Sequence, residues 1–156
     1  MKNSLFDLKQ LKTHLLWALI GALSAFVLTI IFNITGLTDL TSFQNAEGQL
    51  FSVSDSVAVL VILYCFATPL VEELIFRYLI FNFLYKHVKR AAVAIITTAA
   101  LFGIYHLNLV QALYGFLMGL IITYSYYRHR SLSIPFIVHM AANAVALAFT
   151  MLSPVL

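Results

Sequence analysis

With 156 residues, 62% of them apolar and only 10% charged, the chain has room for one domain and lacks the roughly one-quarter charged fraction of an ordinary soluble domain. Its mean hydropathy is +0.96, and the apolar residues gather into runs of about 18 or more, enough to cross a hydrocarbon core of ~30 Å; a soluble globular class is excluded. The net charge of +3 and pI near 9.1 come from basic residues at the edges of apolar runs, which argues against a nucleic-acid face and reads as membrane orientation.

In chain order, Lys2, Lys9 and Lys12 precede a first apolar run over about 15–34. It is too long for a secretory h-region and has no small-residue cleavage site after it, so it is expected to stay as a helix. The connection 35–55 is polar, carries Asp39, Glu47 and Asp55 without a lysine or arginine, and is expected to be the longest loop, with Gly36 and Gly48 as turn formers. The second run, over 56–85, would make about 46 Å of helix at ~1.5 Å per residue, so it must tilt or bend. Pro69 is the expected place: it lacks an N–H and disfavours helical angles at Thr68, giving a kink or a restart. A restart would set Glu72 near a positive helix end. Cys65, the sole cysteine, lies in this apolar stretch and reads as packing.

Runs over 91–107, 109–127 and 132–152 complete five expected spans, with no repeat and no low-complexity tract. Lys86, Lys89 and Arg90 follow the second span and Arg128 and Arg130 the fourth. These clusters and the N-terminal lysines are two spans apart, so the positive-inside rule predicts an N-in, C-out topology. The predicted fold class is all-α, a multi-pass transmembrane bundle of about five spans forming a single membrane domain over 1–156. A compact chain without a transit peptide suits a bacterial plasma membrane.

Ionisable groups deep within the runs are few: Glu72, Glu73 and Arg77 in the second, His106 in the third and His139 in the fifth. Each costs about 2.5–3.5 kcal/mol to insert at a helix centre, which makes the set a functional hypothesis by default. Glu73 and Arg77 are four apart and share a helix face, so they can form a charge-assisted pair, while Glu72 lies about 100° away. Glu72 is thus the carboxylate less neutralised, suited to activating a water as general base. His139 and Asn143, also four apart, point the same way and can offer donors to a developing oxyanion. His106 follows Phe102 by four, so the ring can orient the imidazole. The blander readings are an ion pair locking helices, interhelical hydrogen bonds worth about 0.6 kcal/mol and an interfacial histidine. His14, His87 and His129 sit beside lysine or arginine and read as solvated interface residues. Counted from the nearest basic residue at ~1.5 Å per residue, Glu72 lies about 21 Å deep, His106 about 24 Å and His139 about 14 Å.

Glu72-Glu73-Leu-Ile-Phe-Arg77, Phe102-Gly-Ile-Tyr-His106 and His139-Met-Ala-Ala-Asn143 together resemble the EExxxR, FxxxH and HxxxN motifs of the CPBP intramembrane proteases, which include the CAAX prenyl proteases and bacteriocin-processing or self-immunity proteins. The resemblance covers about 65–150 and implies an endopeptidase with its site in a cavity inside the bilayer. Glu72 matches the family's water-activating glutamate, His106 stands beside it, His139 with Asn143 matches the oxyanion pair, and Glu73 and Arg77 match supporting positions. Tyr78 follows Arg77 where members often have glycine, and only one span precedes the motif region.

The expected reaction is hydrolysis of hydrophobic or lipidated peptides, either CAAX-type processing or processing of leader and bacteriocin peptides. Zinc between His106, His139 and Glu72 is an alternative, since a His2Glu set occurs in catalytic zinc sites; a metal-free glutamate mechanism fits the same residues. Rivals from other classes are a non-catalytic immunity protein that holds a peptide in the same cavity and an ion-coupled transporter. Inverted repeats or paired broken helices would favour the transporter, and neither is found. Beyond the lipid bilayer and a peptide, no partner is implied, and no nucleic acid.

Overall fold

The computed structural model describes residues 8–152, without the side chains of 8, 9, 46, 47 and 49–51. Lys2 lies outside the described residues, and so do the side chains of Lys9 and Glu47. The regular elements described are all helical: α1 (Leu8–Ile34), α2 (Thr41–Ser52), α3 (Val57–Val88), α4 (Ala91–Ile104), α5 (Leu109–His129) and α6 (Ser133–Leu152). Four of them, α1, α3, α5 and α6, are long and apolar enough to cross a membrane. The third expected span is shorter: α4 has 14 residues, about 21 Å, because the chain turns after it through Leu107 at φ 54°. The protein is a multi-pass membrane bundle of four long helices and a shorter one.

Burial follows a membrane pattern. Leu15, Leu19, Leu23 and Val27 of α1 are exposed, facing where lipid would lie, whereas Glu73, Arg77, Thr98 and Thr123 are buried. Lipid gives helices no hydrophobic reason to associate, so close backbone approach does the work. A Cβ at Gly21 of α1 would collide with the Val138 carbonyl of α6, and one at Gly103 of α4 with the Ala112 carbonyl of α5. These are the two most extensive helix pairings, α1 on α6 and α4 on α5. Cys65 is buried with Leu60 and Leu147, as packing required.

Two expectations about the backbone are corrected. The polar connection 35–55 is not a loop: Gly36 does turn, at φ 72°, but Gly48 lies inside α2. That segment holds helix formers (Gln44, Ala46, Gln49) and is anchored where Asn108 Nδ2 donates to the Ser42 carbonyl at 2.8 Å. The second span does not restart at Pro69, because Thr68 keeps helical angles, φ −61° and ψ −52°. The helix instead widens into π register over Ile62–Ala67 and Glu73–Phe81, so Glu72 sits mid-helix and not at a positive end.

The basic ends converge. Arg130 lies over the rings of Tyr85 and Phe81, 4.7 and 5.5 Å from their centroids. Trp17 Nε1 donates to His129 Nε2 at 2.7 Å, and His14 Nε2 lies 2.9 Å from Ser133 Oγ. His14 and His129 therefore join helices and are not merely solvated, while His87 is exposed and bonds only locally, to the Phe83 carbonyl.

Candidate active site

Glu72 and Glu73 belong to α3, and its packing against α6 brings both carboxylates to His139, 66 residues further on. His139 Nδ1 is 2.7 Å from Glu73 Oε1, and its Nε2 is 3.4 Å from Glu72 Oε2. Glu73 Oε1 is also 3.0 Å from Arg77 Nη1, the pair expected from their spacing. Arg77 and His139 share Glu73 Oε1, and His139 is also the group that faces Glu72. With Glu73 taking Nδ1–H, the other ring nitrogen is directed at Glu72.

Arg77 is fully buried and its guanidinium stacks 4.4 Å from the centre of the Phe102 ring. None of its nitrogens has a well-formed hydrogen bond among the described residues, so the Glu73 contact is mainly ionic and the ring supplies the second attraction. Phe102 touches the histidines as well: its centroid is 5.2 Å from His106 and 5.5 Å from His139, both edge-on. One aromatic ring thus carries Arg77, His106 and His139.

His106 is oriented from both sides. Its Nδ1 lies 2.9 Å from the Phe102 carbonyl, which assigns Nδ1–H as donor and leaves Nε2 with a free lone pair. On the other side stands Gly115, where a Cβ would come within 3.3 Å of the imidazole. Sequence reasoning missed Gly115. The available signal was its spacing from Gly119, a small-xxx-small pair on one face of α5.

His106, His139 and Asn143 line a cavity of about 440 Å³. Its wall is apolar at Phe102, Met118 and Ile122, and polar at Asn33, Asp39 and Gln44, the last two from the segment next to and within α2. That rim is at the opposite end of the bundle from the basic clusters. Neither Glu72 nor Glu73 is in the lining; both stand behind His139. Asn143 donates through Nδ2 to the Tyr64 carbonyl of α3 at 2.7 Å, which occupies one of its two amide hydrogens. Among the described residues no three His, Cys, Asp or Glu side chains are grouped as metal ligands. The His106, His139, Glu72 set is not assembled as a metal site here.

The family model for type II CAAX prenyl endopeptidases, Rce1-like, matches residues 54–145. The chain belongs to the Rce1-like family. Glu72, Glu73, Arg77, His106, His139 and Asn143 all lie within that match. Among the chain's relatives are a membrane-embedded CAAX protease, MroQ, of Staphylococcus aureus (strain USA300) and a putative membrane peptidase, YdiL, of Bacillus subtilis (strain 168). The first is 27% identical over 157 residues, covering 95% of this chain and 63% of the relative. The second is 29% identical over 100 residues, covering 64% of this chain and 40% of the relative. The chain therefore spans less than two thirds of the length of either one. No solved structure matches it.

Proposed function

We propose that the chain is an intramembrane endopeptidase that hydrolyses peptide bonds of hydrophobic or lipidated peptides in a bacterial plasma membrane. It acts as one membrane domain, with its protease core at about 65–150 and its basic end in the cytoplasm. The observation that carries this reading is His139: it stands in the wall of a peptide-sized cavity with one ring nitrogen on Glu73 and the other facing Glu72. Glu72 takes a proton from a water held by His106 Nε2, the water oxygen attacks the scissile carbonyl, and Glu72 returns that proton to the leaving amine. The second amide hydrogen of Asn143 donates to the oxyanion, and His139, protonated between the two carboxylates, donates to it through the Nε2–H that otherwise faces Glu72. Glu73 and Arg77 hold the imidazole in place. CAAX-type processing and processing of leader or bacteriocin peptides are both compatible with this cavity.

The non-catalytic alternative, an immunity protein that holds a peptide, draws on the absence of both glutamates from the cavity lining. One experiment separates the two: cleavage of a fluorogenic membrane-peptide library by the purified protein in detergent, comparing wild type with Glu72→Gln and His139→Ala. Losses of about 10³-fold in both variants, in the range of a missing general base or oxyanion donor, support the protease. A wild type that binds peptides without cleaving them overturns it. A parallel series with chelator reports on metal dependence.

A further inference from the structure

The first π-helical stretch of α3, Ile62–Ala67, ends two residues before Pro69, and the two features fit each other. In this register each N–H reaches the carbonyl five residues back, and Thr68 N–H bonds the Leu63 carbonyl. The next acceptor in the series is the Tyr64 carbonyl, whose partner would be the N–H of residue 69. Proline has none. A part-buried carbonyl without a donor in a membrane-spanning helix costs free energy, and here the donor comes from another helix: Asn143 Nδ2, at 2.7 Å and 79 residues away. Asn143 lies one turn from His139 on α6, and Pro69 lies one turn before Glu72 and Glu73 on α3.

We propose that Pro69 is a positioning residue for the site: by leaving the Tyr64 carbonyl unclaimed, it docks Asn143 onto α3 and so sets the His139 face of α6 against Glu72 and Glu73. The proline that the sequence marks as a helix breaker works as a deleted donor. Restoring an N–H at position 69 gives the Tyr64 carbonyl a partner within its own helix and releases the Asn143 amide.

The role of Pro69 in turnover rests on the protease reading, but the docking itself is measured without activity. Side-chain amide exchange of 15N-labelled Asn143 in detergent micelles is compared between wild type, Pro69→Ala and Pro69→Gly; both variants supply the same N–H, so either suffices if the other fails to fold. Protection in the wild type and its loss in the variant, with Tm unchanged or raised, is the expected result. Retained protection overturns the proposal. In the cleavage assay, Pro69→Ala is expected to lower kcat about a hundredfold, the scale of an ångström-sized displacement of a site residue. In an Asn143→Ala background, which also lacks the oxyanion donor, it should add nothing further, because its effect runs through the Asn143 bond; effects that multiply overturn the proposal. If the wild type cleaves nothing, the protease reading fails, and the exchange result still decides the docking.

Discussion

The α4–α5 hairpin and the α3 helix solve opposite problems. The hairpin keeps regular α-helical register from Ala91 to Ile104 and from Leu109 to His129. Its glycines bring the two backbones so close that Gly103 faces the Ala112 carbonyl with no room for a Cβ. By contrast α3 gives up that register twice, over Ile62–Ala67 and Glu73–Phe81, and between and within those stretches it carries Pro69, Glu72, Glu73 and Arg77. The frame is held by close packing, and the charged machinery sits where the hydrogen-bond ladder has been opened, as π-bulges at functional sites often are.

The strongest way to break this contrast is to remove charge from α3. Arg77→Met leaves Glu73 buried without its cation, and removing one partner of a buried pair costs about 3–5 kcal/mol. Unfolding in mixed detergent micelles should show that loss, and adding Glu73→Gln should recover part of it. A single variant as stable as wild type would mean that the Phe102 ring and the ion pair carry little.

Next comes the hairpin. Gly103→Ala should destabilise by about 1–3 kcal/mol, as overpacking does, although alanine is the better helix former by up to ~1 kcal/mol. The same substitution at Gly48 of α2, where nothing lies within 4 Å of the added Cβ, should stabilise by a few tenths to ~1 kcal/mol. Thermal melts of the two variants side by side test whether glycine acts here through contact or through propensity.

The smallest effect on stability is expected at Gly115. Its added methyl meets the His106 ring at 3.3 Å and the Gly103 Cα at an ordinary contact distance of 3.4 Å, and the imidazole can shift by a few tenths of an ångström, so Gly115→Ala should stay within about 0.5 kcal/mol of wild type. That shift disturbs the Nδ1 contact with the Phe102 carbonyl, and kcat is expected to fall about tenfold. An unchanged kcat would remove His106 orientation from the mechanism.

Much of the site was legible because helices convert spacing into direction. Four-residue intervals placed Glu73 on Arg77, Phe102 beneath His106, and His139 with Asn143 on one face, and the structure has all three. The depth count, which put His139 about 7 Å shallower than Glu72 at ~1.5 Å per residue, did not reveal that the two touch, since tilts and the π register shift depth by several ångströms.

By itself the sequence determined the class of environment, the long spans and the short-range pairs, because hydropathy and the ~3.6-residue period are local properties. Only the tertiary structure decided that His139 lies between both glutamates, that one phenyl ring serves Arg77 and two histidines, that Pro69 leaves a carbonyl for Asn143, and that His14 and His129 tie helices together. Each of these joins residues dozens of positions apart. Their geometry depends on which helix faces pack, and in a bilayer that choice is made by close backbone fit and buried polar partners, which no single stretch of sequence contains.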